Sequence, residues 1–239
     1  PPTNFKWEYY ENSDKKRKIT VNNLTPLEFT ERYIKFNGDD WVFLANFPSK
    51  YQYFNIYNIK LCNNMIDGDE TRFINVPMEF LLELTKKSID NEQSVWFASD
   101  FSNYISPKYN LLDTSVYDYS SINSFNQENT SKKNNLLYKL SAPNHAMLII
   151  GYNIDNKTID KWLVENSHGN SKDVYKKIDT NVIDTNGNLT MTHQWFKDYV
   201  YGIVVKKKYL PKSILNVLKR NPIDIDPWST ISCELLKTY

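Results

Sequence analysis

Asn144-His145-Ala146-Met147-Leu148-Ile149-Ile150-Gly151-Tyr152, a polar stretch over 153–160, and then Lys161-Trp162-Leu163-Val164-Glu165-Asn166-Ser167 are the residues on which the fold of this chain turns. Two short apolar runs separated by turn-forming residues predict an antiparallel hairpin, with strands over 145–152 and 161–165. With the turn centred between Asp155 and Asn156, His145 falls directly opposite Asn166. Cross-strand neighbours have Cβ atoms about 4.5–5.5 Å apart, so an imidazole and a carboxamide come within hydrogen-bond reach. A slip of one residue would send the two side chains to opposite faces. The alternative is plain structure: a polar residue at the mouth of a core strand, and an Asn that ends the next one.

Outward from the hairpin, strands are expected over 5–10, 17–21, 41–46, 55–62, 94–98 and 202–206, where β-branched and aromatic residues gather. Thr25-Pro26-Leu27-Glu28 reads as a helix start, with Thr as N-cap, Pro at the first position and Glu closing a capping box. Further helices are expected over 76–88, 192–201 and 211–219. Residues 101–141 read as a partly ordered surface excursion. Residues 170–188 read as an insertion, and 222–239 as an extended C-terminal arm. Strands and helices mix without a βαβ rhythm, so the expected class is α+β.

The chain has 239 residues, a length for one large domain or two small ones. Aromatics at 15% argue against disorder. A net charge of +1 gives no global push toward nucleic acid or anionic membrane. The basic clusters Lys15–Lys18, Lys132-Lys133 and Lys206–Lys208 read first as solvated faces. Cys62 and Cys233 cannot make a disulfide framework and read as free thiols in a reducing compartment, a single bridge remaining open. The longest apolar run, 146–152, is far too short to span a bilayer, and no secretory signal is visible. A cytoplasmic location is therefore expected. The three His are scattered, so no metal site is expected; no cofactor is expected either. The chain opens Pro1-Pro2-Thr3-Asn4 with no initiator Met, which reads as a fragment, a processed chain, or a protein whose first part is missing.

NHAMLIIGY at 144–152 and KWLVENSHG at 161–169 resemble the His and Asn blocks of papain-like cysteine peptidases. More narrowly they resemble the bleomycin hydrolase and aminopeptidase C group. PPTNFKWEY at 1–9, LTPLEF at 24–29, SVWFASD at 94–100, HQWFKDYVYGIVVKKKYLP at 193–211 and NPIDIDPWS at 221–229 match that group in order. The resemblance implies a single partial papain-like domain over 1–239: the β-rich lobe, with the Cys-bearing N-terminal half absent. It implies a cysteine aminopeptidase acting through a thioester on peptides with a free N-terminus. His145 would be the base and Asn166 its orienter in a Cys-His-Asn triad, and the chain alone would be inactive for want of the Cys. Asn144, Ala146 and a terminal Tyr239 would meet substrate. A homohexameric ring is implied, and nucleic-acid binding only weakly. His168 stands where the group has Trp. The alternative within the same fold is a catalytically inactive scaffold or nucleic-acid-binding ring subunit.

Overall fold

The computed structural model describes residues 3–11, 14, 17–48, 51–63, 68, 70–118, 131–167 and 187–228. They fall into two compact units, Pro1–Asp40 and Trp41–Tyr239. In the first, β1 (Phe5–Tyr10) pairs antiparallel with β2 (Lys18–Leu24). Alternation along β1 puts Phe5, Trp7 and Tyr9 on one face, where Trp7 packs 4.8 Å from Phe29 and 4.3 Å from Tyr33. Those two rings come from α1 (Pro26–Phe29) and the π-helical turn Thr30–Ile34 that continues it. The Thr25–Glu28 capping box forms. On the other face Glu8 bridges Lys6 and Lys18, which lower its pKa to about 2.

The second unit is built on one mixed sheet. Its strands are β3 (Trp41–Ala45), β4 (Asn55–Ile59), β5 (Thr71–Asn75), β6 (Val95–Ser99), β7 (Ile105–Ser106), β8 (Leu111–Leu112), β9 (His145–Asp155), β10 (Thr158–Glu165), β11 (Asn188–Thr192), β12 (Val200–Lys206) and β13 (Ile223–Ile225). Among the described residues the order is β13-β4-β5-β3-β12-β6-β9-β10-β11-β8-β7. The helices are α2 (Met78–Asp90), α3 (Lys132–Leu137), α4 (His193–Tyr199) and α5 (Lys212–Val217). Inward residues of the central strands, Phe97, Met147, Ile149, Trp162, Val164 and Ile203, are buried in the main core with Leu81 and Leu84 of α2. Each such side chain contributes about 1.5–3 kcal/mol of burial. The architecture is α+β, with a large sheet and few helices.

The 145–166 hairpin forms in a different register from the one expected. Its strands are longer and its turn is only Asn156-Lys157, one residue further on, with φ of 47° and 69°. Positive φ at both central residues makes the tight turn whose twist suits a two-residue hairpin. Asp155 pairs with Thr158, and at the far end Leu148 pairs with Glu165. Two irregularities intervene, one adding a residue to β10 at Asp160 and one adding a residue to β9 at Ile150. They cancel, so the faces at the open end are those the turn alone would set. Continuing that register puts Asn166 opposite Met147 and diagonal to His145. Moving the turn by one residue shifts the partner by two, which preserves the face.

Strands β5, β7, β8 and β11 were not expected. They are short; β7 and β8 form a two-residue-per-strand pair with each other, while β11 lies beside β8 and β5 beside β3, partners far away in sequence. Tyr104, Leu112 and Leu136, within the stretch expected to run over the surface, are buried. Residues 119–130, most of the expected insertion, and His168, Cys233 and Tyr239 lie outside the described residues.

Candidate active site

His145 opens β9 and pairs with Ser99, the last residue of β6, while Asn166 follows directly on β10. Three adjacent strands thus deliver both residues to one end of the sheet. Both also share the face of the buried Met147, Trp162 and Val164, by strand alternation. His145 Nε2 lies 3.0 Å from Asn166 Oδ1. A carboxamide oxygen only accepts, so the proton of this bond sits on Nε2. That tautomer leaves Nδ1 as the nitrogen for proton exchange. Asn166 is 7% exposed, which removes competing water and strengthens the bond.

A carboxylate anchors the approach to His145. Asp100, just past β6, is 3% exposed. It accepts from Ser141 Oγ at 2.7 Å, Ala142 N at 3.2 Å, Asn144 Nδ2 at 2.7 Å and Ser102 Oγ at 3.2 Å, and also from Asn103 Nδ2. Ser141 Oγ is also 2.7 Å from Tyr201 Oη. These bonds hold 141–144, the segment that leads into β9.

Asn144 is exposed, but its amide is engaged: Nδ2 reaches Asp100 and Ser102, and Oδ1 accepts from Phe101 N at 2.9 Å. Ala146 pairs with Ala98 and, by alternation, lies on the sheet face away from His145. Asp100 and Phe101 carried no role in the sequence reading. The available signal was an acidic residue ending an otherwise apolar strand, in SVWFASD.

Cys62 follows β4 and is half-buried, and burial raises its thiol pKa. That is the opposite of what a thiolate nucleophile needs. His193 begins α4, whose N-cap is Thr192, and stacks on Trp162 at 6.2 Å. Burial and the nearby Lys197 lower its pKa. Among the described residues, no group of three or more His, Cys, Asp or Glu is placed to hold a metal ion. No helix among them is long and apolar enough to cross a membrane.

The sequence profile described as "Peptidase C1-like family" matches residues 1–232. The chain belongs to the peptidase C1-like family. Within it, the chain is 33% identical to bleomycin hydrolase of Mus musculus over 234 residues, covering 95% of this chain and 49% of that protein. It is 32% identical to aminopeptidase G of Lactobacillus delbrueckii subsp. lactis over 233 residues, covering 97% and 50% respectively. The crystal structure of PepW from Lactobacillus rhamnosis superimposes with a TM-score of 0.86 at 29% identity, over 97% of this chain and 50% of PepW. The chain therefore spans about half the length of the curated peptidase C1-like relatives it matches.

Proposed function

We propose that this chain supplies the His–Asn half of a Cys-His-Asn cysteine peptidase that removes residues from the free N-terminus of peptides. The observation that carries the reading is the 3.0 Å contact between His145 Nε2 and Asn166 Oδ1 at the sheet end. The names of the relatives, bleomycin hydrolase and aminopeptidase, favour exopeptidase chemistry.

The steps follow from the tautomer. Nδ1 takes the proton of a cysteine thiol brought by residues outside this chain, giving a thiolate and an imidazolium. The thiolate attacks the scissile carbonyl. As the tetrahedral intermediate collapses, the imidazolium returns that proton to the departing amine, leaving a thioester. Nδ1 next takes a proton from water, whose oxygen attacks the thioester, and the thiol leaves reprotonated. Asn166 keeps Nε2–H in place throughout, so Nδ1 points the same way in both half-reactions. The reading extends to a homo-oligomer in the cytosol, which sedimentation and fractionation of the intact protein measure.

The test is hydrolysis of aminoacyl amides by the intact protein, with thiol labelling in parallel. His145→Ala is expected to lower kcat by about 10²–10⁴-fold, the usual contribution of a positioned general base. It should also slow labelling of the single fast-reacting thiol. Labelling that is equally fast with and without His145, together with no hydrolysis, would instead favour an inactive scaffold.

A further inference from the structure

We propose that Phe101 is a positioning residue for His145, its ring locked against the imidazole by a clamp formed by Asp100 and Asn144. The proposal rests on the peptidase reading for its kinetic consequence, but not for its geometry.

The clamp joins two chain segments that meet only in the fold. Asn144 N donates to the Ser99 carbonyl at 2.9 Å, extending the β6–β9 ladder by one residue. The Asn144 side chain then crosses back over the same junction. Its Oδ1 accepts from Phe101 N at 2.9 Å, and its Nδ2 donates to Asp100 Oδ1 at 2.7 Å and to Ser102 Oγ. One asparagine therefore bonds to four consecutive residues, 99 to 102. Asp100 N is tied separately to the Tyr199 carbonyl at 3.0 Å, which fixes the turn to β12 as well. The backbone of Phe101 has little freedom relative to that of His145, its neighbour across the junction.

The result is a ring-on-ring contact. The Phe101 and His145 centroids are 4.8 Å apart at an interplanar angle of 45°, within the range where aromatic pairs attract. Phe101 is half-buried and packs against the main core, so its ring has support behind it.

This contact supplies what the Asn166 bond cannot. The imidazole is tethered at Cβ and held at Nε2 by Asn166. The Phe101 ring packed beside it narrows the motion those two points allow and keeps water from that side. Nδ1 is then held at one position, as a proton shuttle between a thiol and a leaving amine requires.

The test uses the intact protein carrying Phe101→Ala, Phe101→Leu or Phe101→Tyr. In His-labelled protein, the His145 ring protons should shift on loss of the ring in Phe101→Leu and return in Phe101→Tyr. The share of Nε2–H tautomer at His145 should fall in Phe101→Ala. In hydrolysis, Phe101→Ala should lower kcat about tenfold or more with KM nearly unchanged, and Phe101→Tyr should restore it. An unchanged kcat, a rise in KM alone, or equal loss in Phe101→Tyr would overturn the proposal. If the unsubstituted protein hydrolyses nothing, the peptidase reading fails on its own. The tautomer measurement then decides the positioning claim: an unchanged population ends it.

Discussion

Asp100 and Asn144, 44 positions apart, are joined by a 2.7 Å hydrogen bond from amide to carboxylate. Asp100 is almost fully enclosed, and its other partners come from 102, 103, 141 and 142. A buried carboxylate with this many donors is stabilising as a set, because its own desolvation is offset by the bonds it accepts.

Asp100→Ala is accordingly expected to cost about 1–3 kcal/mol, since it removes the acceptor shared by five donors, some of them shielded from water. The check is urea unfolding, where the midpoint should fall with the slope unchanged. A loss below about 1 kcal/mol would show that water replaces the carboxylate readily.

Gly202 in β12 is set by close approach rather than by backbone freedom. A Cβ there would lie 2.6 Å from Phe43 Cζ and 3.1 Å from the Leu44 carbonyl oxygen. Gly202→Ala should destabilise by about 1–3 kcal/mol through overpacking. Adding Phe43→Leu should recover part of that loss, because the two sites share one volume. Strict additivity in the double-mutant cycle would contradict the contact.

The hairpin turn carries strain that a glycine relieves. Lys157 sits at φ 69°, where a Cβ is disfavoured. Lys157→Gly creates the Asn-Gly pair this turn type prefers, and should stabilise by about 0.5–1 kcal/mol. Thermal unfolding reads the change, and a lowered Tm would argue against this turn geometry.

Lys132 donates to the Val200 carbonyl, and its Nζ lies 4.6 Å from the Tyr201 ring centroid. Burial pushes its pKa well below the usual lysine value, with Asp198 opposing in part. The folded state therefore releases this proton at a lower pH than the unfolded chain. Between the two pKa values the unfolded state binds more protons, so the Lys132 contribution to stability improves as pH rises toward about 10.4, the ordinary lysine value. Lys132→Met should then compare most favourably with the unsubstituted protein near neutral pH, and that advantage should shrink toward pH 10. Urea titrations across that range measure the difference. A gap that does not change with pH would mean Lys132 is charged in both states.

Local chemistry alone determined the Thr25 helix start, the strand character of 145–152 and 161–165, and the candidacy of His145 and Asn166. Capping residues and period-2 apolar runs act over a few positions, and the chain displays them openly. The ordered motifs also pointed to the family. The tertiary structure decided the register. A two-residue turn with two cancelling irregularities has no local signature, so the expected direct pairing of His145 with Asn166 became a diagonal one on the same face. It also decided the role of Asp100 and the ring of Phe101. Their partners at 141 to 145 are some forty residues further along the chain, and the β6–β9 pairing carries them into contact.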